Sequence, residues 1–371
     1  MAESLVELPD VARLSPRVVR LLGQNPGKFT LQGTNTYLIS PLESSSSQPI
    51  PTILVDTAEG DEDYLKLFED TLAKPPKRHI SHVLLTHWHH DHVAGLAPVL
   101  ETLAKAQPSL PPPLVCKLPN SEQDGDIESS ISHLSAGTHF TAPASSSSSR
   151  ILTHLRHSQS LAIGDDTSLQ CLHTPGHTTD HLSLLLSSSQ HDPVFFSGDN
   201  VLGQGTSVFE DLAAYISSLN RTLDVLPASG PARIFPAHGP VIEDGRKAVE
   251  GYIEHRLQRE KQVVELMKES SPTGQKEDGS GMPRWGVMQL VEKLYASYPQ
   301  SLYPAAARGL FLHLHKLGTE QRVLCHGEHA GPDGAPPPVA PLKTEYMELE
   351  WSLTEHEAEA GARASPNGGR L

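Results

Sequence analysis

The stretch HVLLTHWHHDH, residues 82–92, decides how this chain is read. His82–Thr86 is strand-length and apolar, as suits a buried strand. It runs directly into His87, His89, Asp91 and His92, the pattern HxHxDH. A short strand-to-helix turn aims several such side chains into one cavity. Neutral imidazole nitrogens and a carboxylate together suit Zn2+ or another first-row divalent ion. Packing alone gives no reason for three histidines and one aspartate at this spacing. His90 is expected to point away from the cluster, and His82 to serve the strand.

One cluster cannot fill two coordination spheres, so further ligands are sought at other strand ends. His177 lies in HTPGHTTDH (173–181), after the strand SLQCL (168–172). Asp199 lies in FFSGDN (195–200), after VFFS (194–197), and His238 in FPAHGP (235–240), after RIFP (233–236). Neighbouring Gly and Pro residues supply the tight turns that expose such ligands. His181 is read as a group that orients a ligand or packs beside one.

Outward from these motifs, TYLI (36–39), PTILVD, HVLLT, SLQCL, LSLLL (182–186), VFFS and RIFP read as strands. Helical patterns fall at 61–72, 95–106, 210–225 and 244–269, so strands alternate with helices in an α/β layered core. The serine runs at 44–47 and 145–149 read as surface insertions. The hydrolase-like part is taken as 1–262, with a linker over 263–283. Val287, Leu290, Val291, Leu294 and Tyr295 then follow a helical stripe, and Leu310, Phe311, Leu314 and Leu317 begin another. Met347, Leu349, Trp351 and Leu353 alternate with polar residues as a half-buried strand. Together they suggest a winged-helix-like module over 284–354, followed by a disordered tail over 355–371.

Composition limits the function. The chain has 371 residues, 29 Lys and Arg against 44 Asp and Glu, and a net charge of −15. That balance argues against a strongly basic nucleic-acid protein. Cys116, Cys171 and Cys325 are too few and too scattered for a disulfide framework, which points to a reducing compartment. No run approaches ~18 apolar residues, and the acidic N-terminus does not look like a secretory signal. A cytoplasmic protein is expected, with a mitochondrial location left open.

HxHxDH, TPGHT, SGD and AHGP, in that order, resemble the metallo-β-lactamase superfamily over about residues 16–262. The resemblance implies an αββα sandwich with metals at one edge of its two sheets. It implies one ion on His87, His89 and His177, a second on Asp91, His92 and His238, and Asp199 bridging them. Zn2+ is the default, two per chain, with Mn2+ or Fe2+ fitting the same donors. Asp91 would hold the water nucleophile and take part catalytically, and Asp56, which ends PTILVD (51–56), would match an aspartate of the family that orients a ligand loop.

Further stretches are similar to the lactamase-beta-2-like hydrolases and the related fungal polyketide-cluster thioesterases, such as the atrochrysone carboxyl acyl-carrier-protein thioesterases. These are GQNPGKFTLQGTNTYLI (23–39), NVLGQGTSVFEDLAAY (200–215), HGPVIEDG (238–245) and YIEHRLQREKQ (252–262). The subgroup also carries a winged-helix-like C-terminal domain. The implied substrate is a polyketide thioester on an acyl carrier protein, in fungal secondary metabolism. The alternative is hydrolysis of single-stranded RNA, as the animal members resemble endoribonucleases. From Arg284 to Thr354, however, six Lys and Arg face seven Asp and Glu, which makes no electrostatic footprint for RNA. A glyoxalase-II-like thioesterase and a non-catalytic metal-binding or carrier-docking protein rank lower. Asn35, Thr36, Thr206, Glu210, His255, Arg256 and Arg259 are weighed as residues at the mouth of the site, against turn, capping or solvated-helix roles.

Overall fold

The computed structural model describes residues 4–42, 48–143, 151–164, 167–188, 193–230, 232–269, 282–339 and 343–358. The serine runs at 44–47 and 145–149, the linker from 270 to 281 and the tail from 359 onward lie outside the described residues. The chain divides into two compact units, Met1–Phe209 with Ala214–Tyr252, and Glu210–Ala213 with Ile253–Leu371.

In the first unit, seven strands form one sheet in chain order. They are β1 (Val11–Arg13), β2 (Val18–Leu22), β3 (Asn35–Ile39), β4 (Ile50–Val55), β5 (Arg78–Leu84), β6 (Leu114–Lys117) and β7 (Leu152–His154). Strands β1 to β4 pair antiparallel, and β4 to β7 pair parallel. The second sheet holds β8 (Ser160–Ala162), β9 (Thr167–His173), β10 (Leu182–Ser188), β11 (Val194–Gly198) and β12 (Ile234–Pro236), in the order β12-β11-β10-β9-β8. Only the β11–β12 pair is parallel.

Alternation of side chains along a strand explains why the first sheet is apolar on both faces. Leu38, Leu54, Val83 and Val115 face one core, where helices α1 (Glu62–Ala73), α2 (His90–Val93) and α3 (Leu96–Ala106) follow the first strands. Tyr64, Phe68 and Leu72 of α1 and Leu96, Val99, Leu100 and Leu103 of α3 fill that core at helical spacing. Tyr37, Ile39, Ile53, Val55, Leu84 and Cys116 face the other way, against Leu169, Cys171, Leu184, Phe196 and Phe235 of the second sheet. Helices α4 (Asp124–Ser130), α5 (Leu212–Val225) and α6 (Gly245–Met267) complete the named helices up to residue 267. The result is the expected αββα sandwich.

The second unit contains β13 (Trp285–Gly286), α7 (Val287–Leu294), α8 (Tyr303–Thr319), β14 (Val323–His326) and β15 (Glu350–Leu353), with sheet order β13-β15-β14. Trp351 meets Phe311 edge-on at 5.9 Å, and Trp285, Leu290, Val291 and Leu314 are buried beside them in sequence patterns of the winged-helix type.

Three sequence expectations need correction. The strand expected from Met347 begins at Glu350, because Thr344–Glu348 forms a 3-10 turn that stacks Tyr346 on Phe311 at 6.2 Å. Residues 263–267, expected to open the linker, continue α6, since Val263, Val264 and Met267 are buried. Residues 355–358, expected in the disordered tail, form a helical turn, and Glu357 there pairs with Arg322 at 2.9 Å.

Phe196 meets Tyr37 at 5.1 Å and Phe235 at 5.5 Å between the two sheets. Phe196→Ala should destabilise the chain by ~3–5 kcal/mol, since the gap cannot close between two rigid sheets. Denaturant unfolding checks this, and a loss under ~1 kcal/mol would contradict the inter-sheet core.

Candidate metal centre

Strands β5, β9, β11 and β12 all end at one edge of the sandwich. The residues just beyond those ends are His87–His92, His177, Asp199 and His238. A backbone hydrogen bond from Leu182 to Thr86 O, 2.8 Å, ties the second sheet to the first at this edge. The N–H of Asn35 reaches Ala237 O at 2.7 Å, and its side-chain amide donates to Pro236 O and Gly239 O. Asn35 thus clamps the loop that carries His238.

Two glycines are required by geometry. Gly176, before His177, has φ +129°, and a Cβ there would lie 2.3 Å from the Tyr215 backbone. Gly198, before Asp199, has φ +52°, and its Cβ would lie 2.5 Å from His181 Nε2. Only glycine meets both demands without strain.

All seven expected residues come together. His87, His89, His177 and Asp199 form one group able to hold an ion, and Asp91, His92 and His238 form another; within each, one ligand atom per residue lies within 4.8 Å of the rest. His87 Nε2 is 3.0 Å from His89 Nδ1, and His177 Nε2 lies 3.2 and 3.0 Å from those two atoms. Asp199 faces both groups. Its Oδ2 is 3.5 Å from His177 Nε2, while its Oδ1 is 3.3 Å from His238 Nε2 and 3.6 Å from His92 Nε2. Asp91 Oδ2 lies 3.1 Å from His238 Nε2 and 3.3 Å from His92 Nε2.

Outer partners set the imidazole tautomers. His92 Nδ1 is 2.8 Å from Asp56 Oδ2, so its Nε2 lone pair turns inward in the neutral form. His177 Nδ1 donates to Val208 O at 2.8 Å, with the same consequence. Asp56 Oδ1 and Oδ2 also accept from the Thr86 amide and hydroxyl, which leaves that hydroxyl to accept from His87 Nδ1 at 3.0 Å. Asp56 adopts φ +58°, a left-handed conformation that aspartate tolerates better than most residues. His181 is an acceptor for the Asp199 backbone N–H at 3.0 Å, so its Nδ1 donates to Thr174 Oγ1 at 2.9 Å. It positions Asp199 rather than joining the cluster.

Charge divides the centre into two halves. Burial, then the neighbouring imidazoles, hold His87 well below the usual histidine pKa. Burial brings His89 down to about 3, and it also lowers His177. At His92 burial works against the charged form, but the Asp91, Asp56 and Asp199 carboxylates outweigh it and raise the pKa. His238 is raised to about 9 in the same way, mainly by Asp199. Burial likewise opposes the charged form of Asp91 and Asp199, yet the facing histidines hold both far below the carboxylate range. One half is therefore a set of neutral nitrogen donors, and the other draws positive charge.

The remaining candidates separate clearly. His90 is exposed. His82 is half-buried, with Nδ1 3.0 Å from Ser81 Oγ, a strand role. Thr36 accepts from the Tyr64 hydroxyl at 3.0 Å, and Thr206 is exposed. Glu210, His255, Arg256 and Arg259 belong to the second unit, where Arg259 lies over the Tyr295 ring at 4.7 Å. The sequence reading missed Thr34, whose hydroxyl donates to Asp91 O at 3.0 Å, and Lys117, which is buried beside the His177 turn. For Thr34, the signal was its place in the same QGTNTY run as Asn35.

Comparison with known proteins follows this geometry. The metallo-beta-lactamase superfamily profile matches residues 31–238, and the beta-lactamase associated winged helix domain matches 286–331. The chain belongs to the metallo-beta-lactamase superfamily, and its C-terminal part is a winged helix domain of the type that accompanies it. A beta-lactamase-like protein 2 homolog from Drosophila melanogaster is 36% identical over 326 residues, covering 85% of this chain and 92% of the fly protein. An atrochrysone carboxyl ACP thioesterase from Claviceps purpurea is 34% identical over 262 residues, 71% of this chain and 69% of that enzyme. Among solved structures, a beta-lactamase domain protein from Burkholderia ambifaria shares the fold, with TM-score 0.63, 18% identity, and 94% and 95% of the two chains covered. Among the described residues, no helix is long and apolar enough to cross a membrane. The protein is thus a superfamily hydrolase with a candidate dinuclear metal site.

Asp56→Asn would set an amide NH2 or carbonyl where a carboxylate now orients His92 and Thr86. Metal affinity should fall roughly 10–100-fold, as for other partners that orient a ligating histidine. Chelator-competition titration checks this, and unchanged affinity would remove Asp56 from the metal centre.

Proposed function

We propose that this chain is a two-metal thioesterase that releases a polyketide acid from an acyl carrier protein. In this reading His87, His89 and His177 would hold one ion, Asp91, His92 and His238 would hold the other, and Asp199, whose two oxygens face different imidazoles, would serve both. The donor set fits such ions. His92 Nε2 and Asp199 Oδ1 are buried without a hydrogen-bond partner, and three inward imidazole nitrogens face one another at close range. Zn2+ is the proposed metal, and Mn2+ or Fe2+ meet the same nitrogen and oxygen donors. When bound, two divalent ions supply Lewis acidity and acidify water near neutral pH.

The chain's own residues do the rest. The Asp91 side chain is 21% exposed against 12% for Asp199, so Asp91 is the carboxylate that meets incoming water. It holds that water and shuttles its proton on to the leaving thiolate as the oxygen adds to the thioester carbonyl. The C–S bond breaks, and the carrier thiol leaves with a proton, so water and thioester give acid and thiol. Asp56, His181, Thr34 and Asn35 keep the donors in place throughout.

The observation that carries the substrate is the run of fungal relatives named as atrochrysone carboxyl ACP thioesterases, two of them 34% identical to this chain. Purified protein incubated with aromatic polyketide thioesters on an acyl carrier protein should release free acid. Release should stop with a chelator and in His89→Ala. Failure across several loaded carriers, beside chelator-sensitive cleavage of a labelled single-stranded RNA that His89→Ala abolishes, would overturn this reading in favour of an endoribonuclease.

A further inference from the structure

We propose that Lys117 is a positioning residue for the metal centre, its buried ammonium holding the Thr174–His181 turn through an ion pair with Asp180. The inference rests on the two-ion reading above. Lys117 closes β6 and is 0% exposed. Its Nζ lies 2.5 Å from Asp180 Oδ2 and 2.8 Å from Asp124 Oδ1, and it donates to Leu118 O at 2.9 Å. Two ammonium donors go to Asp124 Oδ1 and Leu118 O, and the Asp180 contact is an ion pair. A fully buried lysine occurs almost only where carboxylates pair it.

Asp180 sits between His177 and His181 in chain order and is itself buried. It accepts from the Thr178 hydroxyl at 2.8 Å. A second strap runs from the Asn120 side-chain amide to Thr179 Oγ1 at 3.3 Å, while the Asn120 backbone N–H donates to Asp124 Oδ2 at 2.9 Å. One ammonium therefore ties the turn to the end of β6. The turn delivers His177, while His181 at its end has anchors of its own, Thr174 Oγ1 at 2.9 Å and the Leu182 N–H bond to Thr86 O at 2.8 Å.

The charge of Lys117 has a specific use. Asp180 lies three residues after His177, and its buried carboxylate has the Lys117 ammonium as its charge partner. That pair holds the turn that sets His177 Nε2 beside His87 and His89. An apolar residue at 117 could fill the space but could not pair with Asp180.

Zn2+ uptake, followed by chelator competition with folding checked by circular dichroism, tests the role without measuring turnover. Wild-type protein should take up two tight equivalents. Asp180→Asn should keep one tight equivalent and bind the other roughly 10–100-fold more weakly. Phe68→Leu, in the helix-covered core and outside these straps, should lower thermal stability yet keep both equivalents tight. A purely structural Lys117 network would weaken both equivalents together or neither. Two equivalents in Asp180→Asn as tight as in wild type would overturn the proposal while leaving the two-ion reading standing. Wild-type protein that takes up no Zn2+ would overturn both. Should Asp180→Asn not fold, Thr178→Val removes only the hydroxyl donor to Asp180. It should show the same one-sided loss by a smaller factor, and equal tight binding of both equivalents would again overturn the proposal.

Discussion

His87 Nε2 and His177 Nε2 lie 3.2 Å apart with Nδ1 of each bonded outward, so their lone pairs face each other and repel unless positive charge lies among them. No flexible loop would stay in that arrangement. Here it is imposed by the ends of β5 and β9, whose strands are buried in a double-faced core and cannot relax. Local strain of this kind persists only where the surroundings over-determine it. The close approach of Gly176 to Tyr215 and of Gly198 to His181 is part of the same constraint.

The carboxylate half solves the opposite problem. Asp56, Asp91 and Asp199 crowd around His92 and His238, and their carboxylates raise the pKa of both imidazoles. Metal binding at such imidazoles would be coupled to proton release. Asp199 joins the halves because its two oxygens face different imidazoles. Two ions there would meet unlike surroundings, one richer in neutral nitrogen and the other in carboxylate.

Much of this was legible in the chain because ligands that follow strand ends leave a local mark. HxHxDH, TPGHT, SGD and AHGP each carry their turn residues with them, and each landed at the same edge. The apolar runs of β4, β5, β9, β10 and β11 were readable for the same reason. What stayed hidden depends on partners distant in sequence. Lys117 reads as an ordinary strand-end lysine until Asp180, 63 positions later, folds against it. The strands Val18–Leu22 and Leu114–Lys117 carry no turn chemistry of their own, and the second follows a proline stretch that reads as a connector. At the C-terminal end, alternation from Met347 suggested a longer strand than exists. Stacking of Tyr346 on Phe311, a contact invisible to periodicity, bends the chain first.

The central claim is that Asp199 joins two ions at one edge of the sandwich. X-ray absorption on Zn2+-loaded protein tests it most directly. The account predicts a metal–metal vector of roughly 3.5–4 Å with mixed nitrogen and oxygen neighbours, as in two-metal hydrolytic sites. A single ion per chain, or two with no metal neighbour at that distance, would contradict it.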